Sequence, residues 1–275
     1  MNKTPRFSDR FYRILMYVFL SFMAFVSVFP FYWLVVSSTN TSTDVTKGKL
    51  TFGSEFINNF SRLNESADLG LMFFNSAKIS LLGTILTLIV ASLAGYGFEI
   101  YKSKLRDRVF NVILLTMMVP FAALMIPLFQ MMAKFNLLNT HLAVILPSIA
   151  SVYIIFYFRQ CAKQFPKELI DAARVDGVKE WKIFVYVFFP SMRSTYAAAF
   201  IITFMANWNN YLWPLIVLQS SETKTLNLML SSLSSAYVPD FGVIMIGTLV
   251  TTLPTLLVFF AMQKQFVAGM VGSVK

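Results

Sequence analysis

The sequence predicts an all-α membrane protein with six transmembrane helices. Of its 275 residues, 57% are hydrophobic and only 13% are charged, whereas soluble domains carry about 25% charged residues. An uncharged apolar block of about 20 residues crosses a hydrocarbon core of about 30 Å as a helix. Since lipid offers no hydrogen-bond partners, the backbone of each block must be helical. Charged side chains are absent from residues 14–43, 109–133, 135–158, 194–221 and 241–263.

The distribution of Lys and Arg predicts the topology. The N-terminal segment, the 99–108 and 159–193 loops and the tail after 263 hold 17 of these residues, and the three opposite loops hold 5. Because cytoplasmic loops are enriched in Lys and Arg, we expect both termini to be cytoplasmic. The net charge of +10 lies at the ends of apolar runs, which argues against a nucleic-acid binder. We predict a single transmembrane domain, 1–275, with spans at about 14–36, 71–98, 109–131, 142–158, 195–217 and 241–263.

Two segments outside the spans differ in character. The segment 37–70, rich in Ser, Thr and Asn, is predicted to be a solvated loop. The segment 166–190, between the fourth and fifth spans, is charged. Its Pro166 stands at a favoured helix start, and its Gly177 follows Asp176 as a favoured helix stop. We therefore predict a helix over the ten residues 167–176, followed by a second helix that ends at Pro190.

The first of these helices has a face with a small centre. Ile170, Ala173, Gly177 and Trp181 fall at helical spacing if the helix continues. A helix face of this kind suits insertion into a groove of another protein. An ordinary amphipathic surface loop is the alternative.

The spacing within this segment resembles the cytoplasmic signature loop of importer-type ABC permeases. The family pattern is Glu-Ala-Ala, three residues, Gly, nine residues, Ile, one residue, Leu-Pro. Here the pattern is Asp171-Ala172-Ala173, three residues, Gly177, nine residues, Val187, Phe188, Phe189-Pro190, with conservative replacements. Further similarity to carbohydrate-uptake permeases lies in Asn75-Ser76, Ala94-Gly95-Tyr96, Leu137-Leu138-Asn139-Thr140, Asp176-Gly177, Trp208-Asn209, Trp213-Pro214 and the tail 266–275.

The resemblance implies the second permease subunit of a maltose- or multiple-sugar-type importer, located in a bacterial cytoplasmic (inner) membrane. Its implied partners are a homologous first permease, two ATPase subunits and an external solute-binding protein. The loop would be a coupling loop that docks into a cleft on the ATPase and transmits its closure. The implied coupling residues are Glu168, Asp171, Ala172, Ala173, Asp176, Gly177, Trp181 and Pro190. The tail is implied to reach the ATPase, with Gly269, Gly272 and Lys275 as its contacting residues.

The fifth span carries a cluster of polar and aromatic residues. Three amides and three aromatic rings lie within the seven residues 207–213. Polar groups inside a membrane are costly and usually face the bundle interior, and amides and aromatic rings suit the hydroxyls and C–H faces of sugars. Hydrogen bonds between helices and an aromatic belt are the alternative, as is snorkelling for the lysine of the second span. The substrate-path candidates are Asn207, Trp208, Asn209, Asn210, Tyr211, Trp213 and Lys78.

The sequence also bears on other function classes. It lacks the Gly-x4-Gly-Lys-Ser/Thr loop that binds ATP. We therefore expect no enzyme activity and no cofactor on this chain, with Mg-ATP held by partner subunits. An ion- or proton-coupled secondary transporter is the alternative, but such proteins place Asp or Glu within spans, and here each acidic residue falls in a loop or at a span edge. One His, one Cys and no intramembrane carboxylate leave no acid–base pair and no metal site for an intramembrane enzyme.

Overall fold

The computed structural model describes residues 7–271, with side chains for 10–264, and these residues form helices without any strand. They divide into two compact units, residues 7–67 with 230–250 and residues 68–229 with 251–271. In chain order the helices are α1 (Phe7–Ser38), α2 (Ser42–Thr46), α3 (Phe56–Ser66), α4 (Leu69–Ile100), α5 (Lys104–Leu115), α6 (Phe121–Lys134), α7 (His141–Ile149), α8 (Val152–Ala162), α9 (Lys167–Val175), α10 (Glu180–Ile183), α11 (Phe189–Ser191), α12 (Arg193–Trp208), α13 (Leu212–Val217), α14 (Leu226–Ser234) and α15 (Phe241–Val271). A 3₁₀ turn, Thr116–Met118, follows α5, and a π-helical segment, Phe184–Phe188, joins α10 to α11.

Four helical stretches of the described chain are long and apolar enough to cross a membrane. Two further pairs of helices meet the same criterion if each bent pair counts as one span. The prediction of a multi-pass all-α membrane protein is confirmed at this level, with four to six candidate spans. The four stretches are Arg10–Ser38, Leu69–Ile100, His141–Ala162 and Phe241–Lys264, and the pairs are Lys104–Met118 with Phe121–Lys134 and Glu180–Ser191 with Arg193–Trp208.

The predicted third span contains a sharp bend, since the two parts of the first pair meet at 101°. Pro120 lies at the bend. A proline disfavours the helical conformation in the residue before it, and Val119 is extended, with φ −80° and ψ 118°. Pro120 is also extended and is the N-cap residue of α6, which begins at Phe121. A straight helix over 109–131 is therefore not what the structure shows.

The predicted fifth span, 195–217, falls on two helices. Helix α12 ends at Trp208, and α13 begins at Leu212. Asn side chains compete for backbone hydrogen bonds and favour helix ends, and the Asn209 amide donates to the Met205 carbonyl oxygen at 2.9 Å. Pro214 lies in the first turn of α13, where a missing N–H costs no helical hydrogen bond.

The first unit begins with an exposed apolar helix. Side chains of α1 are exposed from Arg10 to Tyr32, so this helix needs lipid or another apolar surface around it. The segment predicted as a solvated loop contains α2 and α3. The buried Asn59 amide donates to the carbonyl oxygens of Ser38 and Asn40, at 3.0 and 2.9 Å. These bonds attach α3 to the end of α1, which explains why this polar segment is ordered rather than a simple loop.

Helix α4 is the central helix of the second unit. Three clusters of buried side chains follow along its length, containing Ile79, Leu88 with Ala91, and Tyr96. Gly95 lies so close to α8 that a Cβ atom there would stand 2.7 Å from the Cβ of Phe158. The two helices are therefore closely packed.

Candidate coupling loop and membrane cavity

Helix α9 has the boundaries that its proline and glycine predict. Pro166 is the residue before the helix, and the helix ends at Val175 with Asp176 as its cap. Gly177 has φ +73°, a left-handed conformation that only glycine adopts readily. The Gly177 N–H donates to the Arg174 carbonyl oxygen, and the Val178 N–H to that of Ala173, both at 3.0 Å. This pair of bonds is a Schellman motif, which ends the helix and turns the chain.

The exposed side of α9 is not the face that helical spacing predicts. Ile170 is 1% exposed and Ala173 packs on the same buried cluster, so both face the protein itself. The prediction of an Ile170–Ala173–Gly177–Trp181 recognition face was wrong in this respect, because the apolar side of the helix is taken by its own core. The predicted coupling residues that are exposed are Glu168, Asp171, Ala172, Asp176, Gly177, Trp181 and Pro190.

A buried cluster of aromatic and aliphatic side chains packs against the inner side of the coupling loop. Ile170, Ile183 and Phe188 are buried in it together with Tyr96 of α4. The rings of Tyr96 and Phe188 are 4.8 Å apart, in an edge-to-face arrangement that favours aromatic pairs. The predicted second helix is built from α10, the π-helical segment and α11, and Pro190 lies within α11. The exposed residues of the loop therefore stand on a packed base.

Polar contacts tie the end of α9 to α10 and to the end of α4. Arg174 Nε lies 2.7 Å from Glu180 Oε1, and Arg174 also pairs with Asp171 at 3.2 Å. Tyr101, the residue that caps α4, donates its hydroxyl to Glu180 Oε2 at 2.5 Å. The hydrogen bond that the Arg174 guanidinium donates to the Glu180 carboxylate raises the pKa of Arg174 above its ordinary value. Arg174 therefore stays charged, and the contact holds across the physiological pH range.

A second group of charges lies at the start of α9, and its pairing was not predicted from the sequence. Arg159 of α8 is 5% exposed and Glu99 of α4 is 3% exposed. Arg159 Nε lies 3.6 Å from Glu99 Oε2, and Arg159 also pairs with Asp107 of α5. Lys167, the first residue of α9, lies 3.4 Å from Glu99 Oε1. Buried charges persist only when paired, and these four residues carry two positive and two negative charges.

The second unit also has a partly open cavity of about 330 Å³. Its wall combines apolar and aromatic side chains with hydroxyls and amides. Thr203, one of its lining residues, is 6% exposed, and its Oγ1 has no hydrogen-bond partner within the described part of the chain. The lining residues are Phe121, Val144, Pro147, Ser148, Ser151, Tyr153, Ile154, Ile202, Thr203, Ala206, Asn207, Asn210 and Trp213.

Three of the predicted substrate-path residues line this cavity, namely Asn207, Asn210 and Trp213. The cluster of amides and aromatic rings predicted them, but the hydroxyl residues that line the same cavity were missed, namely Ser148, Ser151, Tyr153 and Thr203. Ser148 and Ser151 flank the break between α7 and α8. Polar residues beside a helix break inside an apolar segment are the signal that points to them.

The other predicted path residues do not line the cavity. Trp208 is buried and donates its indole N–H to the Thr251 carbonyl oxygen at 2.9 Å, so it packs as a core residue. Asn209, Tyr211 and Lys78 are exposed. Of the predicted tail contacts, Gly269 lies near the end of α15, and Gly272 and Lys275 lie outside the described residues.

Some of the motif residues in the sequence have structural roles. The Asn139 side-chain oxygen accepts hydrogen bonds from the backbone N–H groups of Gln219 and Ser220, both at 2.9 Å. The Asn75 amide donates to the carbonyl oxygens of Glu222 and Lys224, at 2.8 and 3.0 Å. Both asparagines therefore fasten the loop that follows α13.

A set of apolar membrane helices with an exposed loop on a packed base and a cavity of mixed apolar and polar lining suits a transport permease, and the comparisons with known proteins agree. Residues 88–272 match the family described as the binding-protein-dependent transport system inner membrane component. The chain belongs to this family, and it is therefore a transport permease subunit rather than an enzyme.

Named relatives cover almost the whole chain. It is 63% identical over 262 residues to the lactose transport system permease protein LacG of Rhizobium radiobacter, covering 95% of this chain and 96% of that protein. It is 36% identical over 281 residues to the arabinooligosaccharides transport system permease protein AraQ of Bacillus subtilis, covering 100% and 99%. The fold matches a chain of a bacterial ABC transporter involved in the import of the acidic polysaccharide alginate. That match has a TM-score of 0.83 at 21% identity and covers 97% of this chain and 100% of the other.

Proposed function

We propose that this chain is the second of two permease subunits in an ATP-driven importer of a sugar or oligosaccharide. It forms half of a heterodimeric pathway with a homologous first permease, and an external solute-binding protein delivers the substrate. Two ATPase subunits bind Mg-ATP, since this chain has no phosphate-binding loop of its own. Membership of a binding-protein-dependent transport family supports this assembly. It also argues against the alternative of an ion- or proton-coupled secondary transporter.

The proposed site of action is a bacterial inner membrane, with both termini and residues 166–190 in the cytoplasm. The excess of Lys and Arg on the side of the termini supports this orientation. The whole chain then acts as one transmembrane domain of the importer, with six spans. In this orientation α9 faces the compartment that holds the ATPase subunits.

The observation that carries the coupling role is the way α9 is presented. The helix exposes acidic, small and apolar side chains, the apolar ones being Leu169 and Val175. It ends in a turn that Gly177 makes possible, and it packs through Ile170 on a buried cluster. A helix that is braced from behind can receive a push from a docked protein and pass it on. A flexible loop would absorb the same push.

The substrate that we propose is a disaccharide of the lactose type. The 63% identity to a lactose transport permease, against 36% to an arabinooligosaccharide permease, supports lactose as the first compound to test. The cavity wall suits a sugar, because an exposed aromatic ring such as that of Tyr153 can pack on C–H faces while Asn207 and Asn210 bond hydroxyls. Ligand sites of this kind combine an apolar wall with a few polar groups.

Reconstitution tests the proposal directly. The chain is assembled in proteoliposomes with the first permease subunit, the ATPase subunits and the binding protein of the same organism. Uptake of radiolabelled lactose is then measured with and without ATP. We expect ATP-dependent uptake that unlabelled lactose competes away and that arabinooligosaccharide or glycerol 3-phosphate competes away poorly. Uptake that proceeds without any ATPase subunit would contradict the transport mechanism. Efficient ATP-driven uptake of another sugar alone would contradict only the choice of lactose.

A further inference from the structure

Both ends of α9 are attached to the same end of α4. At the start of α9, Lys167 pairs with the buried carboxylate of Glu99 at 3.4 Å. At the other end, Arg174 holds Glu180, which accepts the hydroxyl of Tyr101 at 2.5 Å. Glu99 and Tyr101 are two residues apart, in the last turn and at the cap of α4. A movement of α9 would therefore be transmitted to α4 through two separate polar contacts.

The far part of α4 contacts the cavity wall. The Asn207 amide donates to the Thr84 hydroxyl of α4 at 3.3 Å, and Asn207 lines the cavity. A Cβ atom at Gly83 would lie 3.1 Å from the same amide nitrogen, so the two helices approach closely here. Thr84 and Glu99 are separated by 15 residues, which corresponds to about 22 Å along a helix at 1.5 Å per residue.

The helix between these two contacts is continuous and tightly packed. Helix α4 runs without a break from Leu69 to Ile100 and contains no proline. Its Gly95 lets the backbone of α8 approach closely, and Arg159 on α8 pairs with Glu99 on α4. A close-packed interior transmits strain rather than absorbing it, so α4 and the end of α8 move together.

We infer that α4 carries the movement of α9 to the cavity, with Glu99 and Tyr101 as the positioning residues that attach α9 to it. This inference rests on the proposed function and adds the route by which the ATPase acts on the substrate path. The route contains a single helix with polar attachments at one end and a polar contact with the cavity wall about 22 Å away. The π-helical segment and the bent α10–α12 pair form a second connection between the coupling loop and the cavity, and the route through α4 acts beside it.

The experiment uses the fully assembled importer in proteoliposomes and a double variant, Lys167→Gln with Tyr101→Phe. Both changes lie at residues with exposed surface. Lys167→Gln removes the positive charge and keeps a polar side chain, and Tyr101→Phe removes only the hydroxyl. The matched control is Lys163→Gln with Tyr237→Phe, both outside the coupling loop. These exposed residues undergo the same chemical changes, and the structure describes no ion pair or hydrogen bond for their side chains.

The readout is the amount of substrate transported per ATP hydrolysed, with subunit association checked by co-purification. Each attachment removed is worth about two- to tenfold in an equilibrium constant. We therefore expect the ratio to fall about fivefold or more in the double variant, with association intact. The control keeps the wild-type ratio, and Lys167→Arg alone, which preserves the ion pair, keeps it as well.

Three results would count against the inference. A double variant with the wild-type transport ratio overturns it, and so does a control variant that loses as much as the double variant. If the wild-type complex shows no ATP-dependent uptake at all, the proposed function fails and the inference fails with it. If the wild-type complex imports normally and the double variant is unaffected, only the role of α4 is refuted, and the proposed function stands.

Discussion

Replacement of Gly177 by leucine separates a docking role from a folding role. The residue has φ +73°, and a Cβ atom there would meet nothing within 4 Å. The cost to the fold is therefore conformational and not steric. A residue with a Cβ pays about 1–2 kcal/mol in the left-handed region, which is small beside the total stability of about 5–15 kcal/mol for a folded domain. We expect Gly177→Leu to insert and fold, but to expose a bulky side chain on the loop.

The chain offers a matched control for this substitution. Gly48 has φ +72° and equally open space around its Cβ position, but it lies outside the coupling loop. Gly48→Leu therefore carries the same backbone penalty without touching the loop. In membranes that contain all subunits, we expect Gly177→Leu to retain at most about a tenth of the bound ATPase, a loss of about 1.4 kcal/mol or more in binding. Gly48→Leu should retain it fully.

The assay is quantitative co-purification of the ATPase with the tagged permease, beside uptake of labelled substrate. A Gly177→Asn variant adds a check, since asparagine tolerates φ > 0 better than other residues and its side chain is smaller. We expect it to fall between wild type and Gly177→Leu. Equal ATPase retention in Gly177→Leu and wild type, or equal loss in Gly177→Leu and Gly48→Leu, would show that Gly177 does not face the ATPase.

The remaining predictions concern packing, the cavity and the buried charges. Gly95→Ala should lower the free energy of unfolding of the assembled complex by about 1–3 kcal/mol through overpacking, because its Cβ would lie 2.7 Å from a side-chain atom of α8. Gly97→Ala, with open space around it, should raise the free energy of unfolding by up to about 1 kcal/mol. Thermal unfolding of both variants in detergent tests this difference. Asn210→Ala should raise the KM for uptake about five- to tenfold through loss of one hydrogen bond. Asn209→Ala, outside the cavity, should leave KM unchanged, and equal effects would place the substrate elsewhere. Arg159→Met leaves a buried carboxylate of α4 poorly compensated and should cost about 3–5 kcal/mol, seen as lost expression and a lower melting temperature; a wild-type melting temperature would contradict the pairing.

Hydropathy predicts where the membrane helices of this chain lie, but not where they bend. Pro120 marks a bend of 101°, whereas Pro30 and Pro254 lie inside the uninterrupted helices α1 and α15. All three prolines remove a backbone hydrogen bond. Whether the helix continues depends on how neighbouring helices satisfy the freed carbonyl, and the neighbours come from distant parts of the chain. Local sequence therefore indicates a weak point without giving the angle.

The coupling loop shows the same division between local and non-local information. Pro166 and Gly177 predict the ends of α9 correctly, because helix capping depends on a few adjacent residues. The exposed face was mispredicted, because helical spacing shows which residues share a side but not which side the core takes. Ile170 faces the cluster around Phe188, and that cluster is formed by residues of α4, α8 and the π-helical segment. The burial of an apolar residue then overrides the small-residue pattern.

The buried charges explain why a residue at a span edge can matter more than its position suggests. Glu99 counts as an edge residue by hydropathy, yet it is 3% exposed and its partners Arg159 and Lys167 are 60 and 68 residues further along the chain. An acidic residue would be costly there without them. The neighbouring Ala94-Gly95-Tyr96 motif has a matching physical basis, because Gly95 admits α8 and Tyr96 packs beneath α9. The Ala94-Gly95-Tyr96 motif thus joins this end of α4 to α8 and to the coupling loop, whereas Asn75 near its other end fastens the loop that follows α13.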